Sequence, residues 1–338
     1  MSQIIRVCLI GAGRAGMIHA VNFRNAVHDA DLVAVADPDP EACVSACAQL
    51  GIDRYYLDYR EALNAGDIDA IVVVAPTSLH CEITEAAAAA GKHVLCEKPM
   101  AMNEAECDRM IDACGKSGVY LQIGFMRRFD QSFRMAYDAV QNGDIGDVVM
   151  VRSNTRGPSI PMKWTYDLRK SNGTLAEVNS HDIDSLRWFT GSDFASVHAI
   201  AGNYRCPDAA QEFPDYYDNV VMAASFKNHM QGLIDGAVSV KYGYDARVEI
   251  LGTRGCIFLG EMKDKRIAVV TSNGVTQPVQ SSWRSLFADA YLREDEHFIE
   301  CIRTGRQPDA TGFDGKMCVK VVNAGNISIR ENRIVILD

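Results

Sequence analysis

Apolar residues fall into short blocks along the first third of the chain, and each block is followed by a stretch with helical spacing. The run Ile4-Ile5-Arg6-Val7-Cys8-Leu9-Ile10 and residues 32–36, 69–75, 93–97 and 119–124 read as strands. Segments at about 14–28, 40–50, 58–64, 79–90 and 103–114 read as helices. Strands alternating with helices in this way predict a parallel sheet wound on both faces. The alanine-rich run from Glu85 to Ala90 extends one of these helices, because alanine is the strongest helix former. After about Asp147 the pattern changes to longer alternating segments at 148–153, 220–226, 232–240 and 247–251, which predict a large, mainly antiparallel sheet. Helices near 130–142, 175–190, 284–304 and 314–330 would cover one face of it and leave the other for pairing between subunits. The expected fold is an α/β domain with a doubly wound parallel sheet over residues 1–124. An α+β domain built on a large, mainly antiparallel open sheet follows over 125–338.

The first strand runs directly into Gly11-Ala12-Gly13-Arg14-Ala15-Gly16 and then into a helical segment. This is the dinucleotide-binding fingerprint in its strand–turn–helix context. Gly11 permits the tight turn, Gly13 the approach of a pyrophosphate, and Gly16 the packing of the new helix on the strand. A second strand, Leu32-Val33-Ala34-Val35-Ala36, ends in Asp37, about 20 residues beyond the last glycine, where an acid that binds a ribose 2′-OH is expected. Pro38, Asp39 and Pro40 follow, without an Arg or Lys to neutralise a 2′-phosphate, so the predicted cofactor is NAD.

Composition narrows the partners. A chain of 338 residues, 48% hydrophobic and 23% charged, has the material for two cores. A net charge of −10 argues against nucleic acid or an anionic membrane surface, both of which are bound through clustered Lys and Arg. The first strand begins at Ile4, no apolar run approaches the ~18 residues of a membrane span, and the 11 cysteines form no C-x-x-C pair. A cytoplasmic protein with reduced core thiols and no bound metal is expected.

Two further segments carry chemistry. Gly91-Lys92-His93-Val94-Leu95-Cys96-Glu97-Lys98-Pro99 delivers a Lys beside a Glu at the C-terminal end of a strand, where open α/β sheets bind ligands. An ammonium there can stabilise negative charge on a substrate oxygen as its proton leaves. The alternative is a surface lysine. From Asn172 to Gly191 the spacing predicts one helix, opened by a capping box at Thr174 and Glu177 and closed by Gly191. Glu177, His181, Asp184 and Trp188 fall on one stripe of it, opposite Leu175, Val178, Ile183, Leu186 and Phe189. The stripe is either a solvated face or the setting of a general base, His181, tuned by Glu177 or Asp184.

Taken together, the glycine loop, Ala75-Pro76-Thr77-Ser78-Leu79-His80, Gly91 to Pro99, Gly124-Phe125-Met126-Arg127-Arg128-Phe129-Asp130 and His181-Asp182-Ile183-Asp184 resemble the glucose-fructose oxidoreductase/inositol dehydrogenase/MocA family. The resemblance spans nearly the whole chain and is nearest to bacterial inositol dehydrogenases, which share the Phe-Met-Arg-Arg run and the Lys241-Tyr242-Gly243-Tyr244-Asp245 segment. It implies NAD-dependent oxidation of a secondary hydroxyl of a cyclic polyol or sugar to a ketone. Lys98 would polarise that hydroxyl and His181 would take its proton, with Glu177 orienting the imidazole. It also implies a cofactor site drawn from Gly11, Gly13, Arg14, Ala15, Gly16, Asp37, Ala75, Pro76, Thr77, His80, Glu97 and Lys98, and substrate contacts from Met126, Arg127, Asp184 and Tyr244; Trp164, outside the resemblance, is a further candidate contact. Two positions depart from the family: Glu177 stands where inositol dehydrogenases carry Asp, and Thr77 where many members carry Asn. The stretch Arg156 to Trp164 fits no family pattern, and a Pro-, Gly- and Trp-bearing loop of this kind can set specificity. The readings left open are an inositol dehydrogenase, a sugar or glycoside 3-dehydrogenase with tightly bound NAD(H), and a non-catalytic dinucleotide-binding sensor. The implied assembly is a homodimer or homotetramer paired through the C-terminal sheet.

Overall fold

The computed structural model describes residues 4–263 and 267–338. They divide into two compact units, one of residues 1–129 with 288–319 and one of 130–287 with 320–338. The sequence division at 124/125 groups residues 288–319 with the C-terminal half. In the structure they belong to the first unit, because Phe298 and Ile299 join Val7, Leu9, Val35, Val72 and Leu95 in its core.

In the first unit a sheet of strands Tyr55–Tyr56, Ala30–Ala36, Ile5–Ile10, Ala70–Val73, His93–Cys96 and Leu121–Ile123, in that spatial order, is parallel throughout. The predicted strands are all present, and Tyr55–Tyr56 is an edge strand too short for its periodicity to register. Its helices are Gly16–Asn25, Pro40–Leu50, Tyr59–Asn64, Thr77–Ala89 and Glu104–Ser117 in the first stretch of chain. Local chemistry sets their limits: Asp39 caps the second through the Glu41 N–H with Pro40 in its first turn, and Gly51 ends it in the left-handed region. Strand order reverses between Ile5–Ile10 and Ala70–Val73, which opens a crevice at their carboxyl ends, the usual ligand position of such a sheet.

In the second unit the strands Cys256–Leu259, Asp245–Gly252, Val148–Arg156, Gln231–Ala237, Asn219–Phe226, Phe194–Gly202 and Val335–Ile336 form one open sheet. Gln231–Ala237 runs parallel to Val148–Arg156, and the remaining pairs are antiparallel. Val151, Met222, Ile234 and Val248 turn to the inner face, where Ile183, Leu186 and Phe189 of a helix are also fully buried. Gly232 allows that helix close in, since a Cβ there would lie 2.9 Å from Leu186 Cδ2.

Two predicted helices are each broken in the structure. The segment 284–304 is Trp283–Leu286 and Ala288–Thr304, with Phe287 between them. The single helix from Thr174 to Gly191 is Gly173–Glu177 followed by Ser180–Thr190. No capping box forms: the Thr174 hydroxyl donates instead to the Tyr217 carbonyl at 2.5 Å. Gly191 does end the second piece in the left-handed region, at φ 60°.

Candidate active site

The glycine loop has the form that a dinucleotide needs. Gly11, at φ 99°, turns so tightly that a Cβ there would lie 2.6 Å from the Val74 carbonyl oxygen. A Cβ at Gly16 would come 2.0 Å from the Gly11 carbonyl oxygen, so only glycine lets the helix start against the loop. Gly13 and Arg14 are exposed, and a Cβ at Gly13 would meet nothing within 4 Å. The helix that begins at Gly16 has neither a side-chain cap nor an acid in its first turn, so its N-terminus offers positive dipole to an anion without a competing carboxylate. Asp37 accepts the Ala12 N–H at 2.8 Å and so ties the end of the second strand to the loop. These residues fit NAD.

Around the same sheet edge, Ala75 is half-buried, Pro76 is exposed, and Thr77 is buried as the first residue of its helix. His80, assigned to the cofactor site, is buried as a brace: Nδ1 lies 2.9 Å from the Pro99 carbonyl oxygen and Nε2 2.7 Å from that of Ala75. Burial holds its pKa below the usual histidine range despite those carbonyls, so the neutral ring donates to one of them at a time. Glu97 is buried and Lys98 half-buried at the end of strand His93–Cys96, and the Lys98–Pro99 bond is cis. Met126 and Arg127 are buried in the turn Met126–Phe129 that follows the last strand of this sheet.

In the second unit the predicted stripe is not a solvated face. His181 and Asp184 are buried and Glu177 is half-buried at the end of its short helix. Trp188 stacks on Tyr137 with centroids 4.3 Å apart and an interplanar angle of 5°. The break between the two helices is held by residues that the sequence reading passed over. Asp182, fully buried, accepts from the Ser153 hydroxyl, from Thr155 Oγ1 at 2.9 Å and from Asn179 Nδ2 at 2.8 Å. That carboxylate pins the first turn of the helix bearing His181 to the strand Val148–Arg156. Asn179 lies over Gly236, where a Cβ would come 1.9 Å from Asn179 Oδ1. Asp182 sits next to His181 in the motif, but sequence spacing gave no sign that it points into the sheet.

Tyr244 and the 156–164 loop come together. A Cβ on Gly157 would lie 3.6 Å from the Tyr244 ring, and Gly157 and Ser159 are tied to Val240 and Ser239 by backbone hydrogen bonds. Trp164 is half-buried in a single turn, Lys163–Tyr166, while Ile160 and Met162 are exposed.

Comparison with known proteins decides the family. The profile of an oxidoreductase family with an NAD-binding Rossmann fold matches residues 5–125, and that of the same family's C-terminal alpha/beta domain matches residues 138–337. The chain belongs to the Gfo/Idh/MocA oxidoreductase family. Its curated relatives include myo-inositol 2-dehydrogenase of Thermotoga maritima, 33% identical over 335 residues and 99% of each chain. Another is the scyllo-inositol 2-dehydrogenase (NAD(+)) of Bacillus subtilis, 30% identical over 100% of this chain and 98% of its own. Among solved structures, scyllo-inositol dehydrogenase of Lactobacillus casei with bound NAD(H) and scyllo-inositol superposes with a TM-score of 0.92 at 28% identity, covering 99% of each chain. Myo-inositol 2-dehydrogenase of Lactobacillus plantarum gives 0.94 at 30% identity, covering 99% of this chain and 100% of that one. As a Gfo/Idh/MocA member the chain is an NAD-dependent oxidoreductase with a Rossmann domain. Among its described residues no helix is long and apolar enough to cross a membrane.

Proposed function

We propose that this chain oxidises a secondary ring hydroxyl of an inositol-type cyclic polyol to a ketone, with NAD as acceptor. The observation that carries the reading is full-length similarity to several inositol dehydrogenases, joined to a chain that keeps both Lys98 and His181. Gly11, Gly13, Gly16 and Asp37 would hold the dinucleotide, with Arg14, Ala15, Ala75, Pro76 and Thr77 along its path. When bound, NAD supplies a hydride acceptor at C4 of its nicotinamide.

The roles assigned to the protein follow from the chemistry of each group. The Lys98 ammonium, at the carboxyl end of its strand, donates to the reacting oxygen and stabilises the charge that grows there. His181 accepts the hydroxyl proton as the C–H electron pair leaves, and Glu177 orients the imidazole. Asp184, Met126, Arg127, Trp164 and Tyr244 are assigned to substrate contact. Lys98→Ala and His181→Ala should each lower kcat by about 10²-fold or more while the Kd for NAD stays near that of the parent. Full activity in Lys98→Ala would contradict the assignment.

A second reading, a sugar or glycoside 3-dehydrogenase that retains NAD(H), is favoured by Glu177 in place of Asp and by the 156–164 loop, which carries exposed Ile160 and Met162. The assembly we propose is a homo-oligomer paired through the second unit's sheet. What supports it is an outer face on which Ile200 pairs with Val221, Phe258 stands opposite Glu249 and Ile336 opposite Ser196, with Ile200, Val221, Phe258 and Ile336 all exposed. A cytoplasmic location is supported by the free cysteines, of which all but Cys256 are buried.

A further inference from the structure

The first unit buries a set of charged groups that the proposed chemistry does not use. His19, in the helix that follows the glycine loop, has no exposed surface. Its Nδ1 lies 2.6 Å from Asp295 Oδ1 and its Nε2 3.2 Å from Glu97 Oε1. Asn22 Nδ2 donates to the other Asp295 oxygen at 2.8 Å, and the Tyr291 ring meets the imidazole edge-on with centroids 5.4 Å apart. The second oxygen of Glu97 accepts the backbone N–H of Lys98 at 2.8 Å. A continuous path of hydrogen bonds therefore runs from Asp295 through His19 and Glu97 to the peptide that carries Lys98.

A ring flanked by two carboxylates donates to both only as the imidazolium. Burial opposes that charge, but Asp295 and Glu97 outweigh it and raise the His19 pKa well above the usual histidine range. For Glu97 burial pushes the pKa up, and the hydrogen bond and charge of His19 bring it below the ordinary carboxylate value. Glu294 brings a carboxylate oxygen within 4.8 Å of ligand-type atoms of His19 and Glu97. With both ring nitrogens facing carboxylates, the group is an ion cluster rather than a metal cage.

Such a cluster is a poor way to gain stability, because apolar residues of similar volume usually do as well or better in a core. What it does supply is fixed geometry. Gly124 leaves the room for it, since a Cβ there would lie 2.9 Å from Glu97 Cδ. We propose that His19 is a positioning residue of the active site: anchored on Asp295, it fixes the Glu97 carboxylate, which fixes the Lys98 peptide and so the reach of the Lys98 ammonium relative to the glycine-loop helix. The proposal rests on the reading that Lys98 acts on the reacting hydroxyl.

The test is a double-mutant cycle on the full-length protein, with His19→Gln, Glu97→Gln and the two combined, and with Lys98→Ala alongside. Each single variant should lower kcat by about tenfold or more, as a displacement of about 1 Å at a reacting group does, with KM for NAD little changed in His19→Gln. In the combined variant the two losses should fail to multiply, because both break one path. Multiplying losses, or a parental kcat in His19→Gln, would overturn the proposal. Should His19→Gln not fold, Gly124→Ala, which presses on Glu97 from the other side, should show the same fall in kcat, and a parental kcat there counts against the path. If Lys98→Ala keeps full activity, the underlying reading fails; if it loses activity while His19→Gln does not, the positioning role alone fails.

Discussion

His19, fully buried between Asp295 and Glu97, is the residue whose charge reaches furthest into the proposed chemistry. The turn at Gly11, the close helix start at Gly16 and the place of Asp37 at the end of the next strand were legible because each depends on near neighbours in sequence. The His19–Asp295 contact was not, since its partners lie 276 residues apart and neither belongs to a recognisable spacing. Asp182 was hidden for a related reason. On a helical wheel it is one more polar residue beside His181, and only the sheet beneath it shows that Ser153 and Thr155 are its partners. The charge state of His19 leads to a prediction at this scale. The folded protein holds the imidazole proton more tightly than the unfolded chain, where the pKa is about 6.5. The stabilisation from this group is thus complete below about pH 6.5 and is lost as pH rises through the higher folded value. Denaturant unfolding of the parent and His19→Gln should give a stability difference that is largest between about pH 4.5 and 6.5, because protonation of Glu97 removes its share at lower pH, and that shrinks as pH rises further. A difference that widens with rising pH would contradict the imidazolium.

At the scale of elements, periodicity found five of the six strands of the parallel sheet because those five lie largely buried between the helical layers and read as continuous apolar blocks, whereas the short edge strand Tyr55–Tyr56 does not. It failed where two elements share one pattern. The segment from Gly173 to Thr190 keeps helical spacing across Val178 and Asn179, and the chain bends there because Asn179 and Asp182 turn to the sheet and Gly236 makes room for Asn179. Strands Phe194–Gly202 and Val335–Ile336 escaped notice, the first because polar and apolar positions mix along it and the second because it is two residues long. The exposed face of that sheet is the element on which the proposed assembly depends. Replacing Phe258, which is 76% exposed, by Asp should shift the mass seen by light scattering at micromolar protein toward the single chain, with the second unit's fold unchanged by circular dichroism. An unchanged mass with an oligomeric parent would place the pairing surface elsewhere.

For the whole molecule, the two-unit plan was visible in the change of pattern near Asp147, but its membership was not. A helical period shows that 288–304 is helical and which face is apolar, yet it does not say which core receives Phe298 and Ile299. Substrate choice is likewise a property of the whole chain. Similarity over nearly its full length points to inositols, whereas Glu177 and the 156–164 loop are the local features that point to sugars. NAD reduction by the purified protein, measured against myo-inositol, scyllo-inositol, glucose, xylose and several glucosides, tests the central claim most directly. Turnover with an inositol at a higher kcat/KM than with any sugar is the predicted result, and turnover confined to glucose or glucosides would contradict it.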